Sequence, residues 1–325
     1  MKNIVITGGA GYVGSVLVPK LLDLGHKITV LDLFIYGDHV LKKHPNLTLV
    51  KGDIRNIQSL TESFSGADTL IHLACISNDP SFDLNPRLGR TINLDAFLPM
   101  LELCKELNFE KVIYASSSSV YGVKEEKNVH EDMSLEPLTD YSRFKADCEK
   151  ILLDFDAGFC KTIIRPATVC GFSPRQRLDL VINILTNLAF HNRKITVFGG
   201  AQLRPNIHIN DMADCYINLL DAPSNVAHNQ IFNAGDKNFS VEELALMVKD
   251  VIGSDVELDY SHTDDNRSYH ISSDKIKSTT GFFPQKSLEN AVQDLKLAFE
   301  SNELKDPLIN SNYFNVKKMN EINLK

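Results

Sequence analysis

The chain has 325 residues, 43% of them hydrophobic, and a formal net charge of −8 at pH 7. This length favours one large domain plus a smaller one, and the negative charge argues against a general nucleic-acid or anionic-membrane surface. No apolar run reaches about 18 residues, so no membrane span is predicted. The first predicted strand leaves no room for a signal peptide before it. We therefore expect a cytoplasmic protein without nucleic-acid or membrane partners.

Six cysteines are scattered along the chain without a CxxC spacing or paired histidines. This pattern is typical of small core residues in a reducing compartment. No metal site is predicted. The cysteines are Cys75, Cys104, Cys148, Cys160, Cys170 and Cys215.

Residues 1–32 predict a strand, a glycine turn, a helix and a second strand that ends on an acid. The apolar run 4–6 is typical of a buried parallel strand, and Gly8, Gly11 and Gly14 follow it directly. An apolar helical run opens behind them, and a second strand over 28–31 leads into Asp32. This order is typical of a dinucleotide site, although the spacing is GxxGxxG and not GxGxxG.

Each part of this stretch has a physical role in such a site. Gly8 permits a sharp turn, Gly11 lets the pyrophosphate approach the backbone, and Gly14 lets the helix pack close to the sheet. The N–H groups of the helix N-terminus favour phosphates. Asp32 can accept hydrogen bonds from the ribose hydroxyls, and Leu33 follows it with no neighbouring arginine for a 2′-phosphate. NAD is therefore favoured over NADP.

Strands and helices alternate through the first half of the chain. This alternation predicts an α/β fold, a Rossmann-type doubly wound parallel sheet with helices on both faces. Further strands are predicted at 47–50, 69–74, 111–115 and 161–165, with helices at 94–107 and 141–153.

The pattern changes after residue 171. We expect a loop at 172–177, helices at 178–190, 241–252 and 287–299, strands at 194–198, 231–234 and 256–260, and a strand that continues as a helix over 207–220. The polar end, 310–325, is expected to be mobile. The predicted division is an NAD-binding Rossmann domain over 1–171, to which 205–235 returns, and a smaller, mainly substrate-binding α/β region over 172–325.

Tyr141 and Lys145 lie four residues apart on a predicted helix and therefore on one face of it. An ammonium beside a phenol lowers the phenol pKa, which suits a general acid or base. YxxxK alone is common by chance and is equally compatible with a solvated helix face. Four serines, 116–119, follow the predicted fifth strand, where a serine can share a substrate hydroxyl with the phenol. The same serines are also compatible with a simple turn.

Taken together, the chain resembles the extended short-chain dehydrogenase/reductases of the NAD-dependent nucleotide-sugar epimerase/dehydratase family. The resemblance covers about residues 2 to 300. Its matching pieces are TGGAGYVGS at 7–15, Asp32, GDI at 52–54, HLA at 72–74, Asn93, SSSSVYG at 116–122, YSRFK at 141–145, RPATVCG at 165–171, RPNIHINDMA at 204–213 and RSYHISSDKI at 267–276.

The resemblance implies that Ser117, Tyr141 and Lys145 are catalytic. In the family, NAD takes a hydride from a sugar carbon, usually C4, while the tyrosine takes the hydroxyl proton. It also implies a homodimer that pairs through helices 94–107 and 141–153. The predicted cofactor-binding residues are Gly8, Gly11, Tyr12, Val13, Gly14, Asp32, Asp53, Ile54, Leu73, Ala74, Asn93, Ser116, Tyr141, Lys145 and Pro166.

The substrate implied by the resemblance is a nucleotide-diphosphate sugar. Arg204 and Arg267 match positions that clamp its diphosphate, as guanidinium forks can, although either could be a surface arginine. Arg175 and Arg177, in the loop that enters the substrate region, are weaker candidates. The family's usual Asn and Tyr are replaced by Thr168 and Cys170. The predicted substrate-binding residues are Ser77, Ser117, Ser118, Thr168, Arg177, Arg204 and Arg267.

The reaction type depends on the two residues after Ser117. Dehydratases of the family carry Asp-Glu there, sugar-acid decarboxylases carry Glu at the second position, and the enzymes that make GDP-fucose carry Cys at that position. Here these residues are Ser118 and Ser119. What remains is 4-epimerisation, or simple oxidation or reduction at a sugar carbon.

Two alternatives stay open. The stretch SPRQRLDL at 173–180 also resembles some GDP-heptose 4-dehydrogenases of capsule pathways, which leaves a 4-dehydrogenase or 4-ketoreductase in surface-polysaccharide synthesis as an alternative. A catalytically idle NAD-binding regulator is a second one. The intact Ser117, Tyr141 and Lys145 argue against the regulator.

Overall fold

The computed structural model describes residues 1–126, 128–263 and 268–324. The strands are β1 (Asn3–Thr7), β2 (Lys27–Asp32), β3 (Leu47–Lys51), β4 (Thr69–His72), β5 (Lys111–Ala115), β6 (Cys160–Pro166), β7 (Thr168–Cys170), β8 (Lys194–Phe198), β9 (Leu203–His208), β10 (Gln230–Ala234), β11 (Lys237–Ser240) and β12 (Glu257–Ser261). The helices are α1 (Gly14–Asp23), α2 (Ile57–Phe64), α3 (Asp79–Phe82), α4 (Pro86–Arg90), α5 (Phe97–Glu106), α6 (Asp140–Asp154), α7 (Val181–Asn192), α8 (Ile209–Asp221), α9 (Ser224–Ala227), α10 (Val241–Ile252), α11 (Asp274–Thr280), α12 (Leu288–Glu300) and α13 (Asn315–Ile322).

The main sheet accounts for the apolar runs in the first half of the sequence, because those runs form its buried strands. Within the described residues it has seven strands in the order β10-β6-β5-β4-β1-β2-β3, and all its pairings are parallel. Helices cover both faces, so its central strands are buried on both sides and need near-continuous apolar runs. All four residues of β4 are buried. The predicted Rossmann-type α/β fold is confirmed.

Strand register places the carboxyl ends of β1, β2 and β4 side by side at one edge of the sheet. Thr7 at the end of β1 is paired with Leu31 of β2 on one side and with His72 of β4 on the other. The glycine turn, Asp32 and the segment after β4 therefore leave the sheet at one edge. The strand order reverses beside β1, which is where open α/β sheets bind ligands.

The second half of the chain builds a smaller layer beside this edge. In the described part, β11, β9 and β7 form one sheet and β12 pairs with β8 in another. Helices α7, α10 and α12 pack on each other through a buried apolar cluster that includes Ile182, Leu244, Val248, Leu288 and Val292. Among the described residues, none of the helices is both long and apolar enough to cross a membrane.

Several elements differ from the sequence-based expectation, including these three. The helix expected from 94 is a π-helical turn, Thr91–Asp95, followed by α5. The helix expected from 178 begins at Val181. The expectation of a mobile C-terminal end is wrong, because that segment forms α13 and buries Asn315 and Met319 against the rest of the molecule.

Candidate active site

A cavity of about 650 Å³ lies at the carboxyl edge of the main sheet. Its walls come from the glycine turn, from the segments after β2, β4 and β5, from the start of α6 and from the loop after β7. Most of the residues predicted to bind cofactor line it. They are Gly8, Gly11, Tyr12, Val13, Gly14, Asp32, Asp53, Ile54, Leu73, Ala74, Ser116, Tyr141, Lys145 and Pro166.

The glycine turn fits a dinucleotide by its geometry. Gly8 has φ +73°, and a Cβ there would lie 2.6 Å from the backbone nitrogen of Ala74. At Gly14 a Cβ would lie 2.5 Å from the Gly9 carbonyl oxygen. Helix α1 begins here with no side chain capping its N-terminus, which leaves backbone N–H groups for an anion such as a pyrophosphate.

Asp32 is held in place by the backbone on both sides. Its Oδ2 accepts a hydrogen bond from Ala10 N at 3.0 Å, and its Oδ1 accepts one from Phe34 N at 2.8 Å. Burial raises the pKa of this carboxyl, while those N–H groups and the charge of Arg175 act to lower it. Arg175 belongs to the loop after β7, far from Asp32 in the sequence. The residues around Asp32 therefore do not predict that an arginine lies near it.

Two predicted cofactor residues have structural partners of their own. Asn93 does not line the cavity: its side chain accepts a hydrogen bond from Ile76 N at 2.8 Å and donates one to Ile76 O at 3.0 Å. It thereby holds the segment after β4. Ser116 lies at the cavity wall, but its hydroxyl donates to the buried carboxylate of Glu149.

Tyr12 joins the glycine turn to the loop after β7. Its hydroxyl donates to the Gly171 carbonyl at 2.6 Å and accepts from Asn183 Nδ2 at 2.9 Å. Its carbonyl accepts from the Ser173 hydroxyl at 2.7 Å. The buried phenol therefore holds the loop after β7 in place, while the backbone of Tyr12 forms part of the glycine turn.

The three predicted catalytic side chains line the same cavity. Ser117 follows the end of β5, and its hydroxyl lies 2.8 Å from that of Ser119. Tyr141 stands in the first turn of α6, which begins with a capping box between Thr139 and Ser142. The Lys145 ammonium, one turn further on, donates to the Ala115 carbonyl at 2.5 Å and so fastens α6 to the end of β5.

The sequence predicts that Lys145 lowers the pKa of Tyr141, whereas burial and other neighbours are the leading influences on it in the structure. Burial raises the pKa of Tyr141 well above its ordinary value, and Cys75 and Asp79 raise it further. A hydrogen bond with Ser117 and the charge of Arg177 act to lower it. The Lys145 ammonium lies 5.9 Å from the centre of the Tyr141 ring.

Six of the predicted substrate residues line the same cavity. Arg177 donates from Nε to Asp179 at 2.9 Å and from Nη1 to the Ser77 hydroxyl at 3.3 Å. Its buried Nη2 has no hydrogen-bond partner among the described residues. The cavity is also lined by Ser117, Ser118, Thr168 on β7 and Arg204 on β9. Arg267 lies outside the described residues.

Two further residues of the cavity wall escaped the sequence analysis. Tyr36, in the segment after β2, stacks under the Arg175 guanidinium, which lies 3.5 Å from the centre of the ring. Asn315, in the C-terminal segment, accepts hydrogen bonds from both of them. Neither belongs to a recognisable motif, and the fold alone brings them together.

Comparison with known proteins agrees with this geometry. The sequence model of the NAD dependent epimerase/dehydratase family matches residues 4–235. A UDP-glucose 4-epimerase of Corynebacterium glutamicum is 25% identical over 314 residues, which cover 90% of this chain and 94% of that protein.

Solved structures resemble the whole described fold. The UDP-N-acetylglucosamine 4-epimerase of Methanobrevibacter ruminantium, in complex with UDP-N-acetylmuramic acid, has a TM-score of 0.84 at 27% identity and covers 93% of this chain and 99% of its own. The UDP-glucose 4-epimerase of Thermus thermophilus, in complex with NAD, has a TM-score of 0.82 at 22% identity and covers 92% and 99%. The chain therefore belongs to the NAD-dependent epimerase/dehydratase family and is an enzyme that uses NAD.

Proposed function

We propose that this enzyme is a 4-epimerase of a nucleotide-diphosphate sugar. The observation that carries the proposal is the catalytic end of the cavity, where Ser117, Tyr141 and Lys145 meet and where Ser118 and Ser119 offer no acid. Elimination of water needs an acid and a base in addition to the tyrosine, whereas epimerisation at C4 needs neither. The 4-epimerases among the relatives support the same choice.

In this proposal the chain handles one proton. Tyr141 takes the proton of the sugar C4 hydroxyl and later returns it, while Ser117 orients that hydroxyl. Lys145 holds α6 against β5, which keeps Tyr141 and Ser117 in register. NAD, when bound, supplies a reversible two-electron acceptor for the sugar carbon. The glycine turn, the α1 N-terminus and Asp32 would hold it.

The diphosphate of the substrate is proposed to bind the arginines that line the cavity. Arg177 has a buried nitrogen with no hydrogen-bond partner in the described part of the chain. Arg204 lies on β9 with its guanidinium 5.4 Å from the centre of the Tyr269 ring. Guanidinium groups of this kind suit phosphate oxygens because they donate in a fixed fork. Arg267 remains a candidate for the same role.

We also propose a homodimer formed through α5 and α6, and a cytoplasmic location. The free state of all six cysteines supports a reducing compartment. The apolar side chains of the two helices support the dimer.

The function is tested by incubating the purified enzyme with a panel of UDP-, GDP-, CDP- and dTDP-sugars and following each by proton NMR. We expect one sugar to be converted to its C4 epimer without net accumulation of NADH. Tyr141→Phe is the control, since it removes only the phenol oxygen. Loss of water, or stoichiometric formation of NADH, would contradict the proposal and point to a dehydratase or a 4-dehydrogenase.

A further inference from the structure

The C-terminal segment 311–324, here called the C-terminal strap, closes part of the cavity wall. Asn315, Met319 and Leu324 of the strap line the cavity. Met319 is buried in the core under the main sheet, and the Tyr313 carbonyl accepts a hydrogen bond from Leu178 N at 2.9 Å. The strap is thus anchored on both sides of Asn315.

Asn315 is 5% exposed and makes hydrogen bonds to four residues from three segments of the wall. Its Oδ1 accepts from the Tyr36 hydroxyl at 3.0 Å and from Arg175 Nη2 at 2.5 Å. Its Nδ2 donates to the Ser77 hydroxyl at 3.0 Å, and its backbone N donates to Asp179 Oδ2 at 2.9 Å. These partners follow β2, β4 and β7, so one amide side chain with its backbone ties three strand ends together.

Asn315 accepts a hydrogen bond from a buried cation, the guanidinium of Arg175. Arg175 is 4% exposed, and its Nε and Nη1 have no hydrogen-bond partner among the described residues. Leaving such donors unsatisfied is costly, so their presence at a cavity wall points to a ligand that supplies polar atoms. The charge of Arg175 also acts on Asp32, the carboxylate at the ribose position of the cofactor site.

We infer that Asn315 is a positioning residue that holds Tyr36, Arg175 and the C-terminal strap over the cofactor site, so that NAD stays bound from one turnover to the next. In this inference, release of the cofactor past this wall requires the hydrogen bonds of Asn315 to break. The inference concerns retention of NAD and does not depend on which sugar is converted or at which carbon.

The test measures cofactor release without any sugar. The enzyme is loaded with NADH, excess nucleotide is removed, and an excess of NAD is added while the fluorescence of bound NADH is followed. Asn315→Ala should release NADH at least about tenfold faster than the parent enzyme, because several hydrogen bonds are lost at once. Tyr36→Phe removes a single donor and should accelerate release by a smaller factor.

Asn320→Ala is the matched control, because Asn320 lies on the same helix but is exposed. It should release NADH at the parent rate. Thermal unfolding of each variant without nucleotide separates a local effect from loss of the fold, and Tyr36→Phe serves if Asn315→Ala does not fold. NADH release at the parent rate from folded Asn315→Ala, or equal acceleration in Asn320→Ala, would overturn the inference.

Discussion

Two opposing influences act on the phenol of Tyr141, and their balance decides how the site can work. Burial and the neighbours Cys75 and Asp79 raise its pKa, while Ser117 and Arg177 lower it. Because a raised pKa keeps this phenol protonated at neutral pH, Tyr141 can accept the sugar proton only when its phenolate form is stabilised. We infer that Ser117 supplies part of that stabilisation, in addition to the role proposed for it in orienting the substrate hydroxyl.

Replacing Tyr141 by Phe keeps the ring and removes the ionisable oxygen. The rate of the chemical step should fall by about 10²- to 10⁴-fold, the usual contribution of one general acid or base. NADH binding should persist, because the glycine turn and Asp32 are untouched. Single-turnover epimer formation and NADH titration measure the two effects separately. Ser117→Ala should slow the step less, and a Tyr141→Phe enzyme with the parent rate would rule out the assignment.

Gly8 in the glycine turn and Gly25 just after α1 form a matched pair for testing how closely the turn approaches the backbone after β4. Gly8 and Gly25 both have positive φ, +73° and +84°, so alanine at either position incurs a backbone cost of about 1–2 kcal/mol. A Cβ at Gly25 would meet nothing within 4 Å, whereas at Gly8 it would lie 2.6 Å from Ala74 N. Gly8→Ala should therefore lose a further ~1–3 kcal/mol of unfolding free energy and most of its NADH affinity. Urea unfolding and NADH titration would show equal losses in both variants if the close approach were unimportant.

At the scale of elements, a buried ion pair fixes α6 to β6 behind the predicted catalytic side chains. The Glu149 carboxylate accepts from Arg165 Nη2 at 2.6 Å and from Nε at 3.0 Å, and both side chains are only 3% exposed. Glu149 also accepts from Ser116, next to Ser117, and Arg165 Nη1 donates to the Tyr121 hydroxyl at 2.7 Å. The pair therefore supports the relative positions of Ser117 and of the helix that carries the tyrosine.

Breaking this pair on one side should be strongly destabilising. Glu149→Leu leaves the Arg165 charge buried and uncompensated, which typically costs about 3–5 kcal/mol of unfolding free energy. Glu149→Leu combined with Arg165→Met should lose less than Glu149→Leu alone, because no buried charge then remains. Asp214→Asn, at the partly exposed Lys20–Asp214 pair, is the control and should change stability by about 1 kcal/mol or less. Urea unfolding of the three variants measures these changes in unfolding free energy. Equal losses of unfolding free energy in Glu149→Leu and Asp214→Asn would contradict this account.

The sequence predicted the elements that depend on neighbouring residues in the chain. It did not predict contacts between residues that are distant in the sequence and meet only in the folded protein. The strand, the glycine turn and the acid at Asp32 follow from apolar runs and backbone chemistry within a few residues. The strap carrying Asn315 was missed because its polar composition hides the few apolar side chains that anchor it. Arg175 was named only as a weaker substrate candidate, and its position near Asp32 was not predicted, since nothing within the stretch around Asp32 indicates that a distant loop returns there.

At the scale of the whole molecule, the proposed homodimer concerns the outer faces of α5 and α6. Leu98 on α5 is 42% exposed, and Leu94, Phe144 and Ile151 are only partly buried where they pack on the core. One exposed leucine needs no explanation in a folded protein. Several apolar side chains on two adjacent helices offer a surface that a second copy of the chain could cover about a twofold axis.

Light scattering at micromolar concentration should give twice the mass of one chain for the parent enzyme. Leu98→Glu places a charge at the proposed contact, which an interface must desolvate, and should shift the equilibrium to the monomer. Leu297→Glu is the control: Leu297 is 53% exposed, but it lies on α12, far along the chain in the smaller layer. Since Tyr141 and Lys145 lie on α6, a dimer through this helix would stabilise the element that carries them, and the Leu98→Glu monomer should unfold at a lower temperature. A monomeric parent enzyme, or dissociation by Leu297→Glu as readily as by Leu98→Glu, would exclude this interface.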